Sequence, residues 1–248
     1  MTDASAEDRI AALQAELAGL RAEMQAFTST VSHDLRAPLR HIVSYAQMVQ
    51  EDAGPLLSDE VQEFLATITS SARHMGLLLD GLTALSRVGS APLLLEPVAL
   101  QDAVQDACDR LTSRNPQRAV DWQVQADLPA VRADASLLQL VLEELLGNAL
   151  KFTAPRDRAV ISIRALPSAQ TGSMALQVQD NGVGFNPAMQ AHLFQVFGRL
   201  HSVQQFEGIG MGLVLARKRL QRMGGSLAIE GVVDRGCCVT LTLPLLQD

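Results

Sequence analysis

The sequence predicts an α+β protein in two parts: a helical hairpin that joins a second copy in an antiparallel four-helix bundle, followed by an α/β sandwich. Three observations predict it. Apolar residues recur at heptad spacing over two stretches, 10–31 and 61–82. A leucine-rich linker bracketed by Pro92 and Pro97 separates these stretches from the rest. Beyond the linker, short helical and strand patterns mix. With 248 residues, 48% hydrophobic and 19% charged, the chain has the composition of a folded globular protein.

In the first stretch Ile10, Leu13, Leu17, Leu20, Met24, Phe27 and Val31 follow at spacings of 3, 4, 3, 4, 3 and 4, with Glu16, Arg21 and Glu23 outside the seam. One such helix would leave its stripe wet, so it needs a partner, and a second copy of the chain is the economical one. Leu35 comes four residues after Val31 where the heptad asks for three, which rotates the seam at Ser32-His33-Asp34. Pro38 follows and can kink the helix, which Asp52-Ala53-Gly54-Pro55 ends. Ser58 is a candidate N-cap for the second helix, with Asp59 and Glu60 favourable in its first turn. Its seam is Val61, Leu65, Ile68, Ala72, Met75, Leu79 and Leu82. Residues 1–27 read as a coiled-coil stalk, 28–90 as the hairpin, 91–97 as a linker and 98–248 as the sandwich.

In the sandwich, helices are expected at about 100–113, 135–152 and 212–223. Strands are expected near 120–125, 159–165, 174–179, 226–232 and 237–243, in a sheet rich in antiparallel pairs. Between Phe185 and Gly208 periodicity fades into a loop with one short helix, and long loops in compact domains are usually functional.

Composition excludes several classes. Twenty basic against 27 acidic residues, net charge -7, tell against non-specific nucleic-acid binding. No uncharged apolar run is long enough for a membrane span, and the first helix is too polar for a signal peptide. The three cysteines, Cys108, Cys237 and Cys238, make neither a disulfide framework nor a metal-ligand spacing, which suits a reducing cytoplasmic setting.

Four features could carry chemistry. On the helix 135–152, Leu138, Leu142, Leu145, Ala149 and Phe152 make the buried stripe, while Glu144, Asn148 and Lys151 form a column on another face. A carboxylate, an amide oxygen and an ammonium suit a hydrated divalent cation with phosphate oxygens beyond it, although a solvated polar face is the simpler reading of this helix alone. Asp180 ends a strand and enters the turn Asn181-Gly182-Val183-Gly184. This is either an ordinary turn or a buried carboxylate that accepts from an exocyclic amine, with Gly182 and Gly184 admitting a flat base. Gly208-Ile209-Gly210-Met211-Gly212 opens into a helix, where amides and the helix dipole favour an anion. Of five histidines, His33 alone lies at the seam slip, with Asp34 beside it, where a neutral imidazole can serve as a nucleophile.

The order of these features resembles that of the sensor histidine kinases of bacterial two-component systems, and of their phytochrome-like group in particular. The resemblance is carried by Ser32-His33-Asp34-Leu35-Arg36-Ala37-Pro38-Leu39-Arg40, by Leu145 to Thr153, by Asp180 to Phe185, by Leu193 to His201, and by Gly208 to Leu213. It implies a dimerisation and phosphotransfer hairpin followed by an ATP-binding domain of the histidine kinase, gyrase and Hsp90 type. It implies that His33 takes the γ-phosphoryl group of Mg²⁺-ATP, with Asp34 orienting the ring, and passes it to an aspartate on a response regulator receiver domain. By the same resemblance Asn148 ligates Mg²⁺, with Glu144 beside it, and Asp180 holds the adenine amine. Lys151, Arg199 and the glycines 208, 210 and 212 face the phosphates, and Gly182 and Gly184 line the base.

Two departures stand out. Ala37 replaces the Thr or Asn that in the family supports dephosphorylation of the regulator, so weak phosphatase activity is expected. Glu144 stands where the family usually has Asn, as in related ATP-hydrolysing proteins, and is expected to be tolerated, with slow hydrolysis or weakened nucleotide binding as alternatives. The competing reading is a degenerate kinase that docks regulators as a scaffold. Input would come from a sensor domain outside this sequence or from a separate protein.

Overall fold

The computed structural model describes residues 2–89, 92–168, 171–202 and 204–246. The chain divides into two compact units, residues 1–91 and 92–248.

The first unit is a hairpin of helix α1 (Thr2–Ala53) and helix α2 (Asp59–Val88), joined by a single 3₁₀ turn at Gly54–Leu56. Helix α1 runs through Pro38 without interruption, so the proline costs one backbone bond and does not end the helix. The Ser58 hydroxyl accepts from the Val61 amide at 3.4 Å and caps α2 as expected. The turn is fastened by the Gln62 side-chain amide, which donates to the carbonyls of Gly54 and Leu57.

Burial within this hairpin follows size. Apart from Val88 at the end of α2, the buried positions of the two helices are small: Ser32, Ala46, Thr69, Ala72, Gly81 and Thr83. Small side chains let two helices approach closely along one line. The larger apolar residues of the α1 seam, Ile10, Leu13, Leu17, Leu20, Met24 and Phe27, stay 48–65% exposed, as do Val61, Phe64, Ile68 and Met75 of α2 to a smaller degree. One chain therefore covers only part of its own heptad surface.

In the second unit, a five-stranded sheet has the order β2-β4-β5-β7-β6, formed by Val120–Val124, Ala159–Pro167, Ser173–Asp180, Gly236–Pro244 and Ser226–Val232. Only β2 and β4 run parallel; the other pairs are antiparallel. Helices α3 (Leu100–Arg114), α4 (Ala135–Phe152) and α5 (Gly212–Arg222) form the second layer. Ile161, Ile163, Leu176, Val178, Leu241 and Leu243 bury their side chains in the core with Leu138, Leu142, Leu145 and Leu146 of α4. In β4, β5 and β7 the residues between them are polar: Ser162, Gln177, Gln179 and Thr240, which stand side by side in the strand register. This period of two is what makes the sheet a two-layer sandwich with one open face.

The expected helices and strands of the sandwich are present, with ends that differ by at most two residues. Two strands escape the pattern. Strand β1 (Glu96–Ala99), which overlaps the expected linker, pairs antiparallel with β3 (Ala130–Ala133). Both have four residues, and Pro97 withholds a donor, so neither shows alternation long enough to read. Asp134 links them to the site helix: Oδ1 accepts from Leu137 N as the α4 cap, and Oδ2 accepts from Leu94 N at 3.1 Å. Phe152, expected in the buried stripe of α4, is half-buried instead, because it ends the helix and turns to the aromatic cluster described below. Among the described residues, no helix is long and apolar enough to cross a membrane.

Candidate functional site

On the hairpin, the seam slip has a direct consequence. It turns Ser32 inward, 2% exposed, and the next residue outward, so that the His33 side chain is 86% exposed and that of Asp34 70%. His33 Nδ1 lies 3.2 Å from Asp34 Oδ1. An ionised carboxylate only accepts, so Nδ1 carries the proton and the Nε2 lone pair is left for an electrophile. Below the pair, Arg36 bridges to Asp80 of α2 at 2.7 Å, across the hairpin.

In the second unit, Asp180 ends β5 and is 7% exposed. Its Oδ1 accepts from the amides of Gly182 at 2.8 Å and Cys237 at 3.2 Å. Burial pushes its carboxyl up to about 6, against these two hydrogen bonds, which favour the charged form. Both bonds fall on Oδ1, so Oδ2 can accept from an amine donor. The turn beyond it is packed so closely that side chains are excluded. A Cβ on Gly182 would lie 2.6 Å from the Phe152 carbonyl, and Gly184, at φ +59°, would drive one into the carbonyl of Val232.

Sequence reasoning missed what holds this turn. Arg156, just after α4, donates through Nε to Asn181 O at 2.9 Å, and through Nη2 to Gly182 O at 3.0 Å and Asp234 O at 2.8 Å. One guanidinium thus ties the glycine turn to the β6–β7 turn. The Asn181 side chain adds two bonds, accepting from Val160 N and donating to Arg158 O. An arginine in a loop gives no sequence signal for such a clamp, since all its acceptors are backbone carbonyls distant in the chain.

The polar column of α4 faces the start of α5. Asn148 Nδ2 donates to Glu144 Oε1 at 3.0 Å. The Glu144 carboxylate rests against Gly212, where any Cβ would collide with it. Helix α5 has Met211 at its N-cap, with no capping side chain and no acid of its own in the first turn. The Lys151 ammonium lies 4.5 Å from the Phe152 ring centroid, and burial lowers it, while Glu144 and Glu207 raise it and Arg199 lowers it. Glu144, Asn148, Lys151, Gly208 and Gly212 therefore share one region.

Arg199 is engaged by the loop that precedes α5. Its guanidinium donates to the carbonyls of Phe206 at 2.6 Å, His201 at 3.4 Å and Gly208, so it fastens the loop before α5. The same loop is held by an aromatic cluster: His201 and Phe206 pack on Phe152 at centroid distances of 5.6 and 5.0 Å. His201 Nε2 also donates to Gly184 O at 3.0 Å, linking this loop to the turn after Asp180. Gly210, at φ +72°, packs against the backbone of Phe197 and Gly198.

Among the described residues no group of three or more His, Cys, Asp or Glu side chains could hold a metal by itself. Asn148 Oδ1 and the Glu144 carboxylate are nonetheless hard oxygen donors on one helix face. They fit a small divalent cation that takes its remaining ligands from water and phosphate.

Comparison with known proteins agrees with this geometry. Residues 23–91 match the His Kinase A (phospho-acceptor) domain, and residues 133–247 match the Histidine kinase-, DNA gyrase B-, and HSP90-like ATPase family. The cyanobacterial phytochrome B of Nostoc sp. is 30% identical over 241 residues, covering 95% of this chain and 31% of that protein. The methanogenesis regulatory histidine kinase FilI of Methanothrix harundinacea is 31% identical over 238 residues, covering 96% of this chain and 26% of its own. The crystal structure of full-length ShkA in complex with AMPPNP superposes with a TM-score of 0.63 at 24% identity, over 90% of this chain and 46% of that one, and shows the shared fold. The chain carries the two domains of a histidine kinase, a phosphoacceptor domain followed by an ATP-binding domain. It spans between a quarter and a third of the length of these two curated relatives.

Two outcomes are expected. Because burial raises the folded Asp180 carboxyl from 3.8 to about 6, the native state binds its proton more tightly than the unfolded chain, and this group costs stability above pH 6. Asp180→Asn should therefore melt higher than wild type at neutral pH. The gap should close as pH falls through 6 toward 3.8, as thermal unfolding across pH would show. Arg156→Ala should raise KM for ATP roughly tenfold, the scale of one or two lost hydrogen bonds, with a smaller change in kcat. Arg156→Lys should recover only part of it, since an ammonium lacks the planar fork.

Proposed function

We propose that the chain is the transmitter of an ATP-dependent protein-histidine kinase that phosphorylates its own His33 and passes the group to an aspartate on a response regulator receiver domain. The observation that carries this reading is the exposed His33 with its Nδ1 beside the Asp34 carboxylate, in a chain whose second unit matches the histidine kinase-type ATPase family.

The geometry supports the roles that the family resemblance implies. The Asp180 carboxylate accepts from the adenine amine, and the Gly182–Gly184 backbone admits the base edge. Lys151 and the amides at the start of α5 receive the phosphates, which fits an uncapped helix N-terminus. Asn148 and Glu144 would hold Mg²⁺, which supplies charge neutralisation on the phosphate oxygens. Nε2 of His33 forms a bond to the terminal phosphorus while that phosphorus loses its bond to the bridging oxygen, and ADP departs. Asp34 stabilises the positive charge that builds on the ring. The protein contributes placement and charge, the usual way phosphoryl transfer is accelerated. ATP as donor is supported by the family match and by the AMPPNP complex of the ShkA neighbour.

The homodimer reading rests on the uncovered seam: small residues close the hairpin, and the large apolar ones remain for a second hairpin. Input from a sensor domain or a partner protein, and a cytoplasmic site of action, complete the proposal.

Incubation with γ-labelled ATP should label the wild type with an acid-labile, alkali-stable phosphate and leave His33→Gln unlabelled. Label that persists in His33→Gln would assign the acceptor elsewhere.

A further inference from the structure

We infer that Glu144 is a specificity device of the nucleotide site: its carboxylate occupies the anion seat at the start of α5, so that a triphosphate is admitted only with its charge neutralised by a divalent cation. The inference rests on the nucleotide-binding reading above and goes beyond it.

Four observations meet at this residue. The carboxylate lies against Gly212, the first residue of α5, in the space a Cβ there would take, so a side chain at 212 would displace it. Helix α5 supplies neither a capping side chain nor an acid in its first turn, so the carboxylate from α4 provides the negative charge that the helix end favours. Asn148 Nδ2 donates to its Oε1 and holds it in place. Finally, burial depresses both the Lys151 ammonium and the Arg219 guanidinium, and Glu144 opposes that depression in both. Arg219 has a buried Nε without a hydrogen-bond partner, so Glu144 is a near counter-charge for a cation that is otherwise under-satisfied.

The consequence is electrostatic competition. Phosphate oxygens approaching the α5 amides and Lys151 meet a fixed negative charge already on that seat. Two like charges a few ångströms apart at a partly buried site repel by several times the thermal energy. A cation shared between the carboxylate, the Asn148 amide oxygen and the phosphates converts that repulsion into attraction. An asparagine or glutamine at 144 would leave the seat neutral, and Lys151 and Arg219 would be free to attract phosphate without a metal.

The test measures affinity and needs no turnover. The full chain is titrated with ATP by calorimetry, once with excess EDTA and once with Mg²⁺, for wild type, Glu144→Gln and Glu144→Asn, with thermal unfolding to establish that each folds. Wild type should bind metal-free ATP only weakly and gain strongly with Mg²⁺. The neutral variants should bind metal-free ATP about tenfold more tightly than wild type, so that the gain from Mg²⁺ shrinks. An equal gain from Mg²⁺ in wild type and in the folded variants overturns the inference. Wild type that binds ATP as well in EDTA as in Mg²⁺ also overturns it, without any variant. Wild type that binds ATP in neither condition sinks the nucleotide-binding reading instead.

Discussion

Helix α4 must satisfy two environments at once, and the second unit is organised around that constraint. A period of 3.6 residues lets one face bury Leu138, Leu142, Leu145 and Ala149 against the sheet while another presents Glu144, Asn148 and Lys151. The apolar face sets the helix rigidly, and the polar face inherits that rigidity. Asp134 begins the helix and ties it to the chain before β1, so the column is anchored at its N-terminal end too. Each group that approaches the column, from the start of α5 to the loop around Phe206, is positioned against a helix whose rotation the core has already determined.

The charges near that column are closely balanced. Glu144 and Glu207 face Lys151, and Arg199 adds positive charge. Asp180 lies in the same domain as an isolated buried carboxylate, held by two backbone amides and opposed by its own desolvation. In the proposed role such a site trades stability for recognition: the carboxylate whose charge burial penalises is the one offered to an amine. The surrounding clamps are consistent with that cost. Arg156, the Asn181 side chain and His201 fasten the turns to one another through backbone carbonyls and amides.

The hairpin shows a different logic. Its two helices meet over small residues, and its large apolar residues look outward. The single irregularity in the heptad spacing sits at Ser32 and His33, where it exchanges an apolar seam position for a buried hydroxyl and a solvent-facing imidazole. A regular heptad would have kept a ring at that place either packed or far from the seam; the slip presents it beside a carboxylate on the adjacent position.

Periodicity and order along the chain were enough to establish the hairpin, the helices and long strands of the sandwich, the Ser58 cap, the exposed position of His33 and the grouping of Glu144, Asn148 and Lys151. These depend on local spacing, which a one-dimensional pattern records. The tertiary structure alone decided the short β1–β3 pair, the outward turn of Phe152, the Arg156 clamp, the engagement of Arg199 with loop carbonyls and the seating of Glu144 on Gly212. Each of these joins groups distant in the chain, mostly through backbone atoms that every residue carries, and so leaves no mark on residue type or spacing.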